Sequence, residues 1–226
     1  MITILIKIAA SLVLGVLAGF GAVYIFNKMP AAWLTDYDAK PPAELTDPHI
    51  QRVKGFPWRW IYAVGFSCLL IRLSFFDVQF AAAGLFACWA LLIIGLADLK
   101  YMIIPDQFVI MLAISAFGFI PYQSGLMQPL LGRSSAAESC SWWACWAAQR
   151  LKEVLGFGDV KLFACLGLAL GLTGTVVVLI GASLLSGIGA AIAMASGRAK
   201  KDDAKPLGPY ICGMGIFYIF IVWPFL

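Results

Sequence analysis

Long apolar runs separated by short polar breaks dominate the chain. They cover roughly residues 2–26, 58–76, 79–98, 103–121, 138–152, 160–174, 175–196 and 207–226. Crossing the hydrocarbon core of a bilayer takes about 20 predominantly apolar residues in a helix. In hydrocarbon every backbone N–H and C=O must be satisfied within the segment, so each run is predicted to be helical. The pattern therefore predicts an all-α, polytopic membrane protein of about eight transmembrane helices. The run 138–152 is the shortest; it holds Glu138 and Arg150 and draws its apolar bulk from Trp142, Trp143 and Trp146. It reads as a span, with a helix lying flat on the membrane as the alternative. The run 2–26 is too long for a signal-peptide core and lacks a small-residue cleavage site, so it reads as a retained first span. The one long polar stretch, 27–57, carries Pro30, Pro41, Pro42 and Pro48 and is expected to be irregular or partly mobile.

Composition sharpens this picture. The chain is 62% hydrophobic and 12% charged, with a mean hydropathy of +0.91, whereas soluble domains carry about 25% charged residues. No room remains for a separate soluble domain. Two parts are expected: 1–57, a first span with its cytoplasmic loop, and 58–226, a helical membrane core. Basic residues fall on alternate connections. If the first span exits into the cytoplasm, the inner loops hold Lys28, Lys40, Arg52, Lys54, Arg59, Lys100, Arg150, Lys152, Lys161, Arg198, Lys200, Lys201 and Lys205, and the outer ones little besides Arg133. The positive-inside rule then sets both termini outside. A net charge of +4 gives no case for a nucleic-acid partner; the lipid bilayer is the expected one. The six cysteines contain no Cys-x-x-Cys pair and the single histidine, His49, sits in the polar loop, so no metal site and no cofactor are expected.

Carboxylates at the edge of apolar segments are costly and therefore candidates for function. Asp98 ends the third run, in Ala97-Asp98-Leu99-Lys100, and Asp159 opens the sixth, in Gly156-Phe157-Gly158-Asp159-Val160-Lys161. If span 138–152 holds, an even number of crossings separates them and both face the cytoplasm. Two carboxylates in reach of one another share a proton; the ionised one activates water while the protonated one polarises a carbonyl. Gly156 and Gly158 permit unusual torsions and the close approach of another backbone. Lys100 and Lys161 either stabilise an aspartate or snorkel to the membrane surface. Pro105 is placed to open the fourth helix, with Asp106 in its first turn. A proton-coupled transporter using paired carboxylates is the competing function, although such proteins place them near the midplane.

The set Asp98…Ile104-Pro105-Asp106, Gly156-Phe157-Gly158-Asp159-Val160-Lys161-Leu162 and Pro206-Leu207-Gly208-Pro209-Tyr210 resembles the type IV prepilin leader peptidases, bacterial inner-membrane aspartic proteases of the Gly-x-Gly-Asp class. The likeness covers roughly residues 80–215, with the motifs in the family's order and spacing. It implies Asp98 and Asp159 as the catalytic pair and Pro206, Gly208 and Pro209 as a segment near the site. It also implies a prepilin or pseudopilin substrate: a short basic leader, a glycine before the cut and a hydrophobic helix after it. Presenilin-type proteases share Gly-x-Gly-Asp but differ in the residue before the first aspartate and in the late proline motif. Bifunctional members carry a zinc-binding tetracysteine loop and methylate the new N-terminus; residues 27–57 here contain no cysteine, so the likeness carries over the peptidase without the methyltransferase. Asp36, Asp38, Glu44 and Asp47 in that loop are candidates to attract a basic leader.

Overall fold

The computed structural model describes residues 2–35, 43–47, 51–122, 156–197 and 206–223. Among them every regular element is helical. The chain runs α1 (Ile2–Lys28), a 3-10 turn (Ala31–Leu34), a short α2 (Ala43–Thr46), α3 (Trp58–Leu73), α4 (Val78–Tyr101), α5 (Asp106–Phe119), α6 (Phe157–Ala195) and α7 (Gly208–Phe217), which continues as a π-turn over Tyr218–Val222. By length and composition, Ile4–Lys28, Val78–Tyr101 and Thr173–Ala195 are long and apolar enough to cross a membrane. Asp106–Tyr122 and Gly208–Val222 are shorter apolar helices. The expected span 138–152 lies outside the described residues.

Helix ends follow local chemistry. Pro30 stops α1, since a proline restricts the residue before it and donates no N–H. Pro105, in extended conformation, precedes α5, so the helix begins one residue later than expected, at Asp106. Pro209 occupies the first turn of α7, where a missing N–H costs nothing. α4 ends on Met102, held in the left-handed region (φ 54°, ψ 35°), with its N–H donating to the carbonyl of Asp98 at 2.9 Å. That position normally takes glycine, and here the left-handed residue turns the chain sharply just past Asp98.

The contacts fix the direction of each helix. Hydrogen bonds from Ser11 Oγ to the carbonyl of Leu70 and from Lys7 Nζ to that of Ser74 set α1 antiparallel to α3. Gly15 and Gly19 lie directly on the α3 backbone at Ser67 and Ala63. This small-xxx-small spacing lets two apolar helices approach closely where hydrophobicity alone gives no drive to pair. Lys100 Nζ donates to the carbonyl of Arg52, and Phe26 stacks on Tyr101, so α1 and α4 finish at the same end. Tyr122 donates to Asp77 at the start of α4, so α5 runs back to the opposite end. There Phe80, Phe119, Tyr122 and Trp223 lock α4, α5 and the last turn together, with centroids 4.9–5.5 Å apart. Such pairs contribute roughly 0.5–1.5 kcal/mol each beyond the area they bury.

α6 is two helices in one. Gly171, at φ 70° and ψ −178°, breaks it. Beyond the break, Gly174 lies against Tyr218, Gly181 against Met214 and Gly189 against Tyr210. The second arm thus returns along α7 in the reverse direction, and the expected segments 160–174 and 175–196 form a hairpin with almost no loop. Only glycine reaches that conformation cheaply.

Within the loop 27–57 the structure describes residues 27–35, 43–47 and 51–57, and several of these are tied into the bundle. Leu34, Leu45 and Val53 are buried in the core. Asn27 exchanges two hydrogen bonds with Val53 (3.0 and 2.8 Å), and Arg52 donates to the carbonyls of Phe26 and Leu45. Polar side chains thus satisfy backbone groups at the end of α1 and tie residues 52 and 53 to it, which composition does not reveal.

Replacing Gly15 or Gly19 by leucine is expected to wedge α1 from α3 and cost about 1–3 kcal/mol, as overpacking does in other cores. Thermal unfolding in detergent checks this, with Gly21→Leu, at a position that has nothing within 4 Å, as the neutral control.

Candidate active site

At the end of the bundle where α1 and α4 finish and α5, α6 and α7 begin, a cavity of about 550 Å³ opens. Its lining includes Asp98, Met102, Ile104, Pro105, Asp106, Gly156, Gly158, Asp159, Lys161, Pro206 and Leu207. The two aspartates, far apart in sequence, line the same space and lie close enough for their charges to interact. Each comes from a helix end: Asp98 from the last turn of α4, Asp159 from the first turn of α6. Asp98 is 6% exposed and Asp159 half-buried.

The third motif closes on the first. The backbone N–H of Gly208 donates to the Asp98 carboxyl, whose Oδ2 has no hydrogen-bond partner among the described residues. A methyl group at position 208 would sit 2.5 Å from that Oδ2 and 2.8 Å from Cγ. The start of α7 can therefore touch Asp98 only because residue 208 has no side chain. Cys212, one turn further along α7, lies within electrostatic reach of both aspartates.

Gly156 and Gly158 serve differently from the expectation. Gly156 precedes α6 at φ −63° and ψ 144°, a conformation open to any residue. Gly158 lies within the helix, and a Cβ there would meet Ile104 at 3.2 Å. What the second glycine supplies is room for the strand of chain entering α5, while Gly156 takes no unusual torsion at all. Lys161 pairs with Asp106, its Nζ 2.9 and 3.1 Å from the two carboxylate oxygens. The pair clamps the start of α6 to the start of α5, two residues beyond Asp159. Both partners are about one-third exposed, so its value lies in orientation more than in stability. Lys100 is exposed and donates to Arg52 instead of lining the cavity. Pro206 lines it; Gly208 and Pro209 stand behind Asp98 and open α7.

The sequence reading missed one wall. Ala32, Trp33 and Thr35, from the turn after α1, also line the cavity. The signal was an apolar island, Ala31-Ala32-Trp33-Leu34, following a proline in an otherwise polar loop. Among the described residues no cluster of three or more histidine, cysteine or acidic side chains is arranged to hold a metal ion. The cavity's own side chains offer paired carboxyl groups beside a partly apolar cleft. Asp36 and Asp38 lie outside the described residues.

Residues 85–192 match the type IV leader peptidase family. The chain is similar to proteins named prepilin leader peptidase/N-methyltransferase. The one from Xanthomonas campestris pv. campestris is 30% identical over 173 residues, covering 73% of this chain and 52% of that protein. The one from Aeromonas salmonicida is 30% identical over 149 residues, covering 62% and 49%. The one from Pectobacterium carotovorum subsp. carotovorum is 29% identical over 214 residues, covering 78% and 73%. The chain spans about half the length of the first two. No solved structure matches it significantly.

Gly208→Ala is expected to push α7 off Asp98 and to destabilise the protein by about 1–3 kcal/mol. Gly213→Ala, on the same helix with nothing within 4 Å, should be near neutral. Thermal unfolding of the two variants side by side checks the contact.

Proposed function

With residues 85–192 matching the type IV leader peptidase family, we propose that this membrane protein is an aspartic endopeptidase that removes the short leader of type IV prepilins or pseudopilins. The observation that carries the reading is the meeting of Asp98 and Asp159 in one cavity at one end of an apolar bundle.

The two carboxyl groups hold one proton between them, because neighbouring carboxylates resist double ionisation. A substrate peptide lies across them in extended form, which exposes the scissile carbonyl that a helix would hide. The ionised aspartate takes a proton from water as the oxygen attacks the carbonyl carbon; the protonated aspartate gives its proton to the carbonyl oxygen. As a hydroxyl of the tetrahedral intermediate returns a proton to the aspartate that gave one, the C=O re-forms and the C–N bond breaks, and the aspartate that received the water's proton hands it to the departing amine. Gly208 holds Asp98 in place, and the Lys161–Asp106 pair orients the first turn of α6 that carries Asp159. Walls that keep bulk water out strengthen each of these interactions.

The cut takes place at the cytoplasmic face of the inner membrane. Lys28, Arg52, Lys54, Arg59, Lys100 and Lys161 gather at the cavity end, while Lys7 and Arg72 lie toward the other. Positive charge marks the cytoplasmic side. Both described chain ends, the start of α1 and the end of α7, then face outward, as an eight-span topology requires. Residues 1–57 bring the first span and its loop to a peptidase core over 58–226. The carboxyl groups lie at helix ends rather than at breaks near the midplane, which favours hydrolysis over proton-coupled transport.

Asp98→Asn and Asp159→Asn keep size but cannot share a proton, so each alone is expected to lower prepilin cleavage at least about a hundredfold. Processing of a prepilin in membranes checks this; near-normal cutting by either variant overturns the paired mechanism. In the same membranes, Lys161→Ala should reduce turnover about tenfold while Lys161→Arg retains it, as an orienting pair requires. For the sidedness, a periplasm-active reporter enzyme fused after residue 76 should be active and one fused after residue 54 silent.

A further inference from the structure

The turn after α1 is a built element of the cavity. Pro30 starts it, Leu34 anchors it at 1% exposure, and Thr35 Oγ1 donates to the carbonyl of Ala31 at 2.6 Å. Behind it, the Asn27–Val53 exchange and the Arg52 hydrogen bonds fix where the chain leaves α1. On this frame Trp33 is only partly covered, 36% exposed, its ring edge-on to Phe108 at 6.4 Å, and it lines the cavity that holds both aspartates. A tryptophan left half-open toward a cleft, while the leucine beside it is fully buried, presents apolar surface to an occupant.

The cavity has two characters. Asp106 and Lys161 make one part ionic, and Trp33, Met102, Ile103 and Leu207 make another apolar. We infer that Trp33 is a specificity-determining residue, its indole forming the subsite for the first apolar side chain on the C-terminal side of the scissile bond. This rests on the peptidase reading. An extended peptide laid across the aspartates must turn successive side chains to opposite sides. The apolar residue that begins the substrate's hydrophobic segment therefore needs an apolar wall near the cut, and the rigid ring of Trp33 provides one with little ordering cost. The residue is placed to select and position substrate, and the aspartates alone carry the chemistry.

The test compares wild type, Trp33→Ala and Trp33→Phe in proteoliposomes on prepilins bearing Phe, Leu, Ala or Ser just after the cut. Wild type should prefer Phe and Leu. For Trp33→Ala, KM for the Phe and Leu substrates should rise about tenfold with kcat within about twofold, so that preference over Ala and Ser flattens, as loss of one buried apolar contact implies. Trp33→Phe should restore most of the preference, which a merely unfolded loop would not. Cutting by Trp33→Ala with the wild-type order of preference overturns the inference while the peptidase reading stands. An equal fall in kcat for all four substrates also overturns it, because that marks a structural role. Failure of the wild type to cut any of the four removes the peptidase reading, and this inference with it.

Discussion

A carboxyl group buried to 6% exposure at the end of an apolar helix needs neighbours that neither crowd it nor leave it alone, and Asp98 sets that requirement for the rest of the protein. α7 meets it by beginning on a residue with no side chain, so that a backbone N–H arrives where any Cβ would collide. Proline at the next position then commits the chain to a helix at once. On the other side, Met102 accepts a left-handed conformation to turn the chain away immediately after the α4 terminus. The second aspartate can then approach because α6 begins beside the entry to α5, where Gly158 leaves room for Ile104. Helix ends, more than helix faces, shape this site.

The far end of the bundle has the opposite task. Nothing there needs to be left open, and aromatic rings fill the space between α4, α5 and the last turn. The hairpin at Gly171 belongs to the same logic. A reversal without a loop keeps backbone polar groups inside helices, where apolar surroundings demand that they remain. A filled far end and a cleft at the near end let helix termini alone hold the two aspartates.

Much of this was legible in the sequence because the strongest signals are the least ambiguous ones. Apolar runs locate helices, prolines locate their starts, and two aspartates at the edges of such runs stand out against a background with few charges. The division of 160–196 into two runs was legible too, although the break falls at Gly171, before the boundary expected at 174. What composition concealed was long-range. The loop 27–57 reads as irregular because it is polar and rich in proline, yet its described ends are tied down by Asn27 meeting Val53 and Arg52 meeting Phe26, pairings that no local window contains. The same blindness hid Trp33, and it left Lys161 open between stabilising an aspartate and snorkelling, because its partner Asp106 sits on another helix. Gly156 was credited with special torsions it does not use, because the motif names the residue and not its angles.

The wall that carries Trp33 and the walls that carry the aspartates come from different parts of the chain, and α1, which delivers the former, is held chiefly by its seam with α3. The paired aspartates and the surface beside them are thus separable inheritances. Substitutions along 31–35 can reshape one wall of the cleft while α4, α6 and α7 keep their mutual register. Divergence among descendants of such a protein would accumulate fastest in that short turn and slowest where Gly208 meets Asp98, where a single added carbon has nowhere to go.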